Sequence, residues 1–219
     1  MEHFGLKLVK RKYSFKLNRE EFAPISTKPS NPFFPTLAEM GAYTDSSGRE
    51  YRQEWCQEYR KLCLANYDLN MEYFGRLDRA SFERALDNFI KRHKEFVSVD
   101  DLGQYKGVEG YYIMVLDEYK QVYIGKSDDI AKRIRQHWSS MKPFDRTLLP
   151  MYAEKTSCFS IDFFRALDTT RIYIWKRRLI DGVEADLVAD FPNMYCTNRI
   201  GGDVSNAIGA LATMNVREF

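Results

Sequence analysis

Tyr112, Tyr123, Arg133 and His137 sit in one stretch, GYYIMVLDEYKQVYIGKSDDIAKRIRQHW, and Glu184 lies further along the chain. Together these residue types match the needs of phosphodiester hydrolysis. In-line attack on a phosphate builds charge on the phosphoryl oxygens, so the site needs a base for water, a cation near the phosphate and usually a divalent metal. Arg133 can donate two parallel hydrogen bonds to phosphate oxygens and stays charged throughout. His137 can contact the phosphate or shuttle a proton. A free phenol has a pKa near 10, so only about one in a thousand is ionised at neutral pH. A neighbouring cation favours the phenolate, and Lys126 and the metal region are the candidates for that cation. Either Tyr112 or Tyr123 could then help activate water. Glu184 is the candidate metal ligand, since a hard cation such as Mg²⁺ (or Mn²⁺) takes carboxylate oxygen and keeps most of its waters. Asp181, three residues earlier, reads as a solvated or helix-terminal charge. A two-metal arrangement needs more converging carboxylates than the chain offers.

The elements that must position these groups follow from pattern. Tyr111 to Leu116 is an apolar run of β-formers, Asp117 to Lys120 a polar turn and Gln121 to Ile124 a second β-leaning run, which predicts an antiparallel hairpin. Tyr112 and Tyr123 would lie side by side on it. Tyr111 points to the opposite face and reads as core or surface packing. Gly125 ends the second strand, Ser127 or Asp128 offers a helix N-cap, and Asp129 adds a favourable charge to the first turn. Ile130, Ile134 and Trp138 recur every fourth residue as a buried stripe, which leaves Arg133 and His137 one turn apart on a face turned toward the hairpin. Lys132, Arg133 and Arg135 make the outer side of that helix cationic.

Elsewhere the chain is less specific. Lys7, Lys10, Arg11, Lys12, Lys16 and Arg19 outnumber Glu2 and Glu20 near the start, and LKLVKRKYSFKL reads equally as a solvated edge strand or as a phosphate-contacting arm. Residues 24 to 49, with Pro24, Pro29, Pro32 and Pro35, read as an extended, irregular connection with a turn at Ser46 to Gly48. Helices are predicted over Glu50 to Asn66 and from Arg79 or Ser81 to Phe96, the second with Phe82, Ala85, Leu86, Phe89, Ile90 and His93 on one stripe. His93 reads as a packed or half-exposed helix residue. Arg171 to Trp175 is the third-strand candidate, followed by the basic cluster Lys176 to Arg178. A helix is expected from about Leu179 to Asp190 with Leu179, Val183 and Leu187 as its buried row, then a turn at Gly201 and Gly202 and a short terminal helix within Ser205 to Phe219.

With 219 residues and a net charge of +2, whole-chain composition permits one large domain or a domain with an extension. The overall charge excludes nothing, because nucleic-acid binders are recognised by local clustering. No apolar run is long enough to span a bilayer, and the N-terminus lacks the apolar stretch of a secretory signal. On one helix Cys56 and Cys63 would lie about 10 Å apart along the axis, too far for a disulfide. Reduced cysteines in a cytoplasmic protein are therefore expected. His3, His93 and His137 have no zinc-like spacing.

The hairpin-to-helix stretch resembles the core motif of the GIY-YIG nucleases. Gly110-Tyr111-Tyr112 stands in place of the first triplet, with Tyr111 for isoleucine, and Tyr123-Ile124-Gly125 is an intact second triplet. Lys126, Ser127, Ile130, Arg133 and His137 continue the family's pattern. Glu184 stands where the family has its metal-binding glutamate, and Asn198 matches the asparagine that follows that helix. The likeness covers roughly Val108 to Gly202. It implies a mixed α/β (α+β) domain with a three-stranded antiparallel sheet flanked by helices, at residues 108–204. Residues 1–107 would form a mainly helical N-terminal extension that targets or contacts DNA or binds another protein, and residues 205–219 a tail or short helix. It further implies a single-metal endonuclease acting on nucleic acid, double-stranded or branched DNA first. Tyr112, Tyr123, Arg133, His137 and Glu184 would be catalytic, and Lys126, Arg135 and Asn198 would bind substrate. The rival class is a nuclease-like fold that binds nucleic acid without cutting it. The sequence leaves target choice and oligomeric state open.

Overall fold

A computed structural model describes residues 1–9, 13–30, 37–200 and 207–219. Parts of three expectations therefore lie outside the described residues: the basic run Lys10 to Lys12, the connection from Asn31 to Thr36 and the turn at Gly201 and Gly202.

The chain is mixed α+β. A two-residue ribbon, β1 (Glu2–His3) with β2 (Leu6–Lys7), precedes helix α1 (Leu37–Tyr43), the long helix α2 (Gln53–Arg76) and helix α3 (Arg79–Arg92). Strand β3 (Val97–Ser98) leads to the hairpin β4 (Gly110–Leu116) and β5 (Gln121–Ser127), helix α4 (Ile130–Ser139), strand β6 (Arg171–Lys176), helix α5 (Val183–Asp190) and helix α6 (Ala207–Ala212). The hairpin and the RIYIW strand form as predicted and pair antiparallel. The sheet has four strands rather than three, in the order β3-β6-β4-β5. The added strand comes from the segment between the second predicted helix and the hairpin: Val97 and Ser98 pair with Ile174 and Tyr173.

Every side chain of β4 is buried, which is why it reads as an uninterrupted apolar run rather than an alternation. Its first residue is glycine for a steric reason. Gly110 has φ +154°, and a Cβ there would sit 2.2 Å from the backbone oxygen of Trp175 on β6.

Helix α2 runs ten residues past the expected end at Asn66. Its buried face continues through Asn66, Tyr67, Asn70 and Phe74, and the two asparagines disguise the stripe. Both amides donate to the carbonyl oxygen of Ser157, at 2.8 and 3.0 Å, which lets polar side chains sit in a core at little penalty. Helix α3 begins at its Asp78 cap, whose carboxylate accepts from the Ser81 amide at 2.8 Å. It stops short of Phe96, and His93 is half-buried, its Nε2 2.7 Å from Asp190. All four cysteines are free and buried. Among the described residues no helix is long and apolar enough to cross a membrane.

Candidate active site

Strand register brings the two phenols together. Tyr112 on β4 lies directly opposite Gly125 on β5, and Tyr123 is two residues before Gly125, so all three share one face of the sheet. The rings of Tyr112 and Tyr123 are 6.2 Å apart. Gly125 makes room for them: a Cβ there would meet the Tyr112 hydroxyl at 2.6 Å and the Tyr123 ring at 2.8 Å.

Helix α4 covers this face. Asp129, expected in the first turn, is itself the N-cap and accepts from the Lys132 amide at 2.9 Å. Ile130, Ile134 and Trp138 are buried as the stripe requires, and the Trp138 indole donates to Thr169 Oγ1 at 2.9 Å. That anchoring turns Arg133 and His137 toward the hairpin. The Arg133 guanidinium lies beside both phenols and its charge opposes the rise in their pKa; it is exposed, whereas Tyr123 is half-buried and Tyr112 fully buried.

His137 completes a buried chain with a residue absent from the sequence reading. Its Nδ1 lies 2.8 Å from Asp162 Oδ1 and its Nε2 2.9 Å from the Tyr112 hydroxyl. Burial is the largest influence on His137 and depresses its pKa despite the pull of Asp162. The neutral ring therefore donates Nδ1–H to Asp162, and Nε2 accepts from the Tyr112 hydroxyl. Burial also disfavours charge on Asp162, but the His137 hydrogen bond and the nearby Lys142 and Arg133 outweigh it and hold its pKa down. The Lys142 ammonium is 3.7 Å from Asp162.

Without a metal, this environment disfavours the phenolate. Burial pushes the pKa of both Tyr112 and Tyr123 above the ordinary value, and Arg133 only partly offsets it. The cation beside the phenols is Arg133, not Lys126. Lys126 pairs with Tyr111 across the hairpin and so belongs to the other face. Its contribution is to Glu184, whose charged form it favours.

The charge of Glu184 is felt by both phenols. Burial raises its pKa, and the charges of Lys126 and Arg133 oppose that rise. Its placement depends on Tyr111. That hydroxyl donates to the Ile180 carbonyl at 3.0 Å and accepts from the Ile180 amide at 2.9 Å. The chain then turns through Gly182 at φ +85° before α5 begins. The expected helix from Leu179 is therefore shortened by four residues, and only Leu187 of its predicted row is buried.

One expected substrate contact is corrected, and a second lies away from the phenols. Asn198 is buried with both amide atoms committed to Ile124, accepting from its N–H at 3.0 Å and donating to its carbonyl at 2.7 Å. It holds β5 in place between Tyr123 and Gly125 rather than reaching substrate. Arg135 is exposed on the far side of α4 from Arg133, as two helical residues diverge by roughly 160°.

Among the described residues no group of three or more His, Cys, Asp or Glu could hold a metal. The donor set fits one hydrated hard cation on Glu184, completed by water and phosphate oxygen, and does not fit a pair of metals. Compared with known proteins, the chain matches no family model, and no curated protein or solved structure gives a significant match.

Proposed function

We propose that the chain is a metal-dependent phosphodiesterase that cuts nucleic acid, with double-stranded or branched DNA as the first substrate to test. The observation that carries this reading is the buried Tyr112–His137–Asp162 chain with the charges of Arg133 and Glu184 within range of its phenol, from three separate parts of the sequence. A divalent cation such as Mg²⁺ or Mn²⁺ on Glu184 would polarise a phosphoryl oxygen and supply the charge that this half-buried carboxylate needs to stay ionised.

Arg133, exposed and beside both phenols, turns its guanidinium to the phosphate as the strand arrives. The phenol oxygens lose a neighbouring cation and become better acceptors. Tyr112 then takes a proton from the attacking water while passing its own to His137 Nε2. Asp162 stabilises the imidazolium that results. The relay is needed because a buried phenol is protonated at neutral pH and has no spare basicity of its own. The half-buried Tyr123 lies at the solvent side and orients the water or the phosphate.

A module that only binds nucleic acid would use Arg133 and Lys126 but has no need of a buried tyrosine–histidine–aspartate chain. Supercoiled plasmid incubated with Mg²⁺ or Mn²⁺, beside a gel shift in EDTA, separates the two. Nicking by the native chain, lost in Glu184→Gln while the gel shift persists, supports the nuclease. Binding without nicking in every metal supports the module.

A further inference from the structure

The other side of α4 carries a feature that the hydrolytic site does not use. An open cleft of about 390 Å³ lies between α4 and the N-terminal segment, with Lys7, Tyr13, Phe15, Lys132, Arg135 and Arg165 in its walls. Lys7, Lys132 and Arg135 are exposed, and no ion pair is formed by any of the three among the described residues. Among the described residues no carboxylate lines the cleft. Three cations held together without counter-charge repel one another and favour an anion. Tyr13 and Phe15 are half-buried and give the cleft apolar ring surface between the charges. Arg165 is buried, its guanidinium fixed by the Ser140 carbonyl at 2.7 Å and 5.6 Å from the centre of the Tyr13 ring.

We infer that this cleft binds one unpaired nucleotide of a nucleic-acid strand, phosphates on Lys7, Lys132 and Arg135 and the base against the aromatic wall. Cationic grooves interleaved with aromatic rings are the general solution for single strands, because every base has a stackable face. The cleft is far too small for a duplex. An acidic peptide would find the charges but would leave the ring surface unused. The inference rests on the hydrolytic reading for its consequence: Arg133 and Arg135 stand on one helix, so a strand lying in the cleft can cross the exposed side of α4 into the centre at Arg133. The preferred substrate is then a duplex with a single-stranded branch or end.

The test measures binding separately from cutting. Fluorescence anisotropy in EDTA compares oligothymidylate of about 15 nucleotides, a flapped duplex and a blunt duplex. The single strand and the flapped duplex are expected to bind at least ~10-fold tighter than the blunt duplex. The exposed-charge variants Lys132→Glu and Arg135→Glu should erase that preference and shallow the salt slope by about one unit each. Free thymidine monophosphate, lacking neighbouring phosphates, should not displace the strand at equal concentration. Equal affinity for blunt and flapped duplex, unchanged binding by both variants, or displacement by the mononucleotide would overturn the inference. Glu184→Gln binds the strand like the native chain if the cleft is independent of cleavage chemistry. Strand preference with no nicking in any metal would sink the nuclease reading alone, and nicking with no strand preference would sink the cleft alone.

Discussion

At the residue scale, the arginine, the histidine and both phenols are visible in the sequence because the motif that carries them is compact, whereas Glu184 lies well beyond it. Asp162 is not visible. It lies in a 3-10 turn after a long loop, where periodicity has no purchase, and only the fold shows that it faces His137. Its role makes a sharp prediction. Removing its charge in Asp162→Asn should lower the His137 pKa still further, since the carboxylate raises it against burial. NMR of the ring protons, with three histidines in the chain, reads that shift directly. A less basic His137 accepts the Tyr112 proton less well, so the hydrolytic rate should fall by roughly 10²-fold, within the range of general acid–base catalysis. A rise in the His137 pKa would refute the assignment. In the native chain, His137 has a depressed pKa, so its contribution to stability is complete above the unfolded value near 6.5 and is lost as pH falls through the folded one. Activity should follow the same acid limb, because imidazolium cannot accept the proton. Arg133→Ala should cost about 3 kcal/mol of transition-state stabilisation, seen as a fall in kcat/KM with the melting temperature unchanged, because Arg133 is exposed.

At the scale of elements, the strands and α4 follow the sequence closely because local pattern and tertiary packing agree there. The helix bearing Glu184 does not. Leu179 belongs to the apolar row that predicts it, yet Tyr111 captures the Ile180 backbone and delays the helix until Val183. Strand alternation correctly turns Tyr111 away from Tyr112 but says nothing of where its hydroxyl ends. Tyr111→Phe keeps the buried ring and removes both hydrogen bonds, leaving the Ile180 groups half-satisfied. The expected loss of stability is about 1–3 kcal/mol, measured by urea denaturation. If the clamp aims Glu184, the variant also needs more Mg²⁺ for half-maximal activity, while single-strand binding in EDTA is unchanged. A variant that loses stability with no change in metal requirement would reduce Tyr111 to packing. Gly125→Ala should act in the opposite sense. The added methyl must displace the ends of two tyrosine side chains rather than backbone, so activity should drop well before stability does.

At the scale of the molecule, a division into a helical extension and a catalytic part is natural from the sequence, because the motif starts near Val108. Packing ties the parts together. One hydrophobic cluster includes Tyr59, Phe74, Phe82 and Phe89 from the helices before the hairpin, with Tyr111 through Leu116, Ile172 and Leu187 after it. Polar bonds cross the same line. The Asn66 and Asn70 amides hold Ser157, and the buried Arg217 guanidinium donates to Gln121 at 2.6 Å and Asn70 at 3.3 Å. Arg171 of β6 pairs with Glu83 of α3 as well as with Asp117 of the hairpin turn. None of these links is legible in the sequence, since each joins residues far apart with no shared motif. Cutting the chain at residue 107 would expose the outer surface of β4 and its neighbours to water and leave Arg217 without Asn70, and burying a polar group with its partner removed costs ~1–3 kcal/mol by itself. A fragment of residues 108–219 should therefore lack a cooperative thermal transition, while the whole chain melts in one. Circular dichroism and calorimetry on both decide this. If the fragment instead folds cooperatively and still nicks plasmid, the first half is an appendage after all.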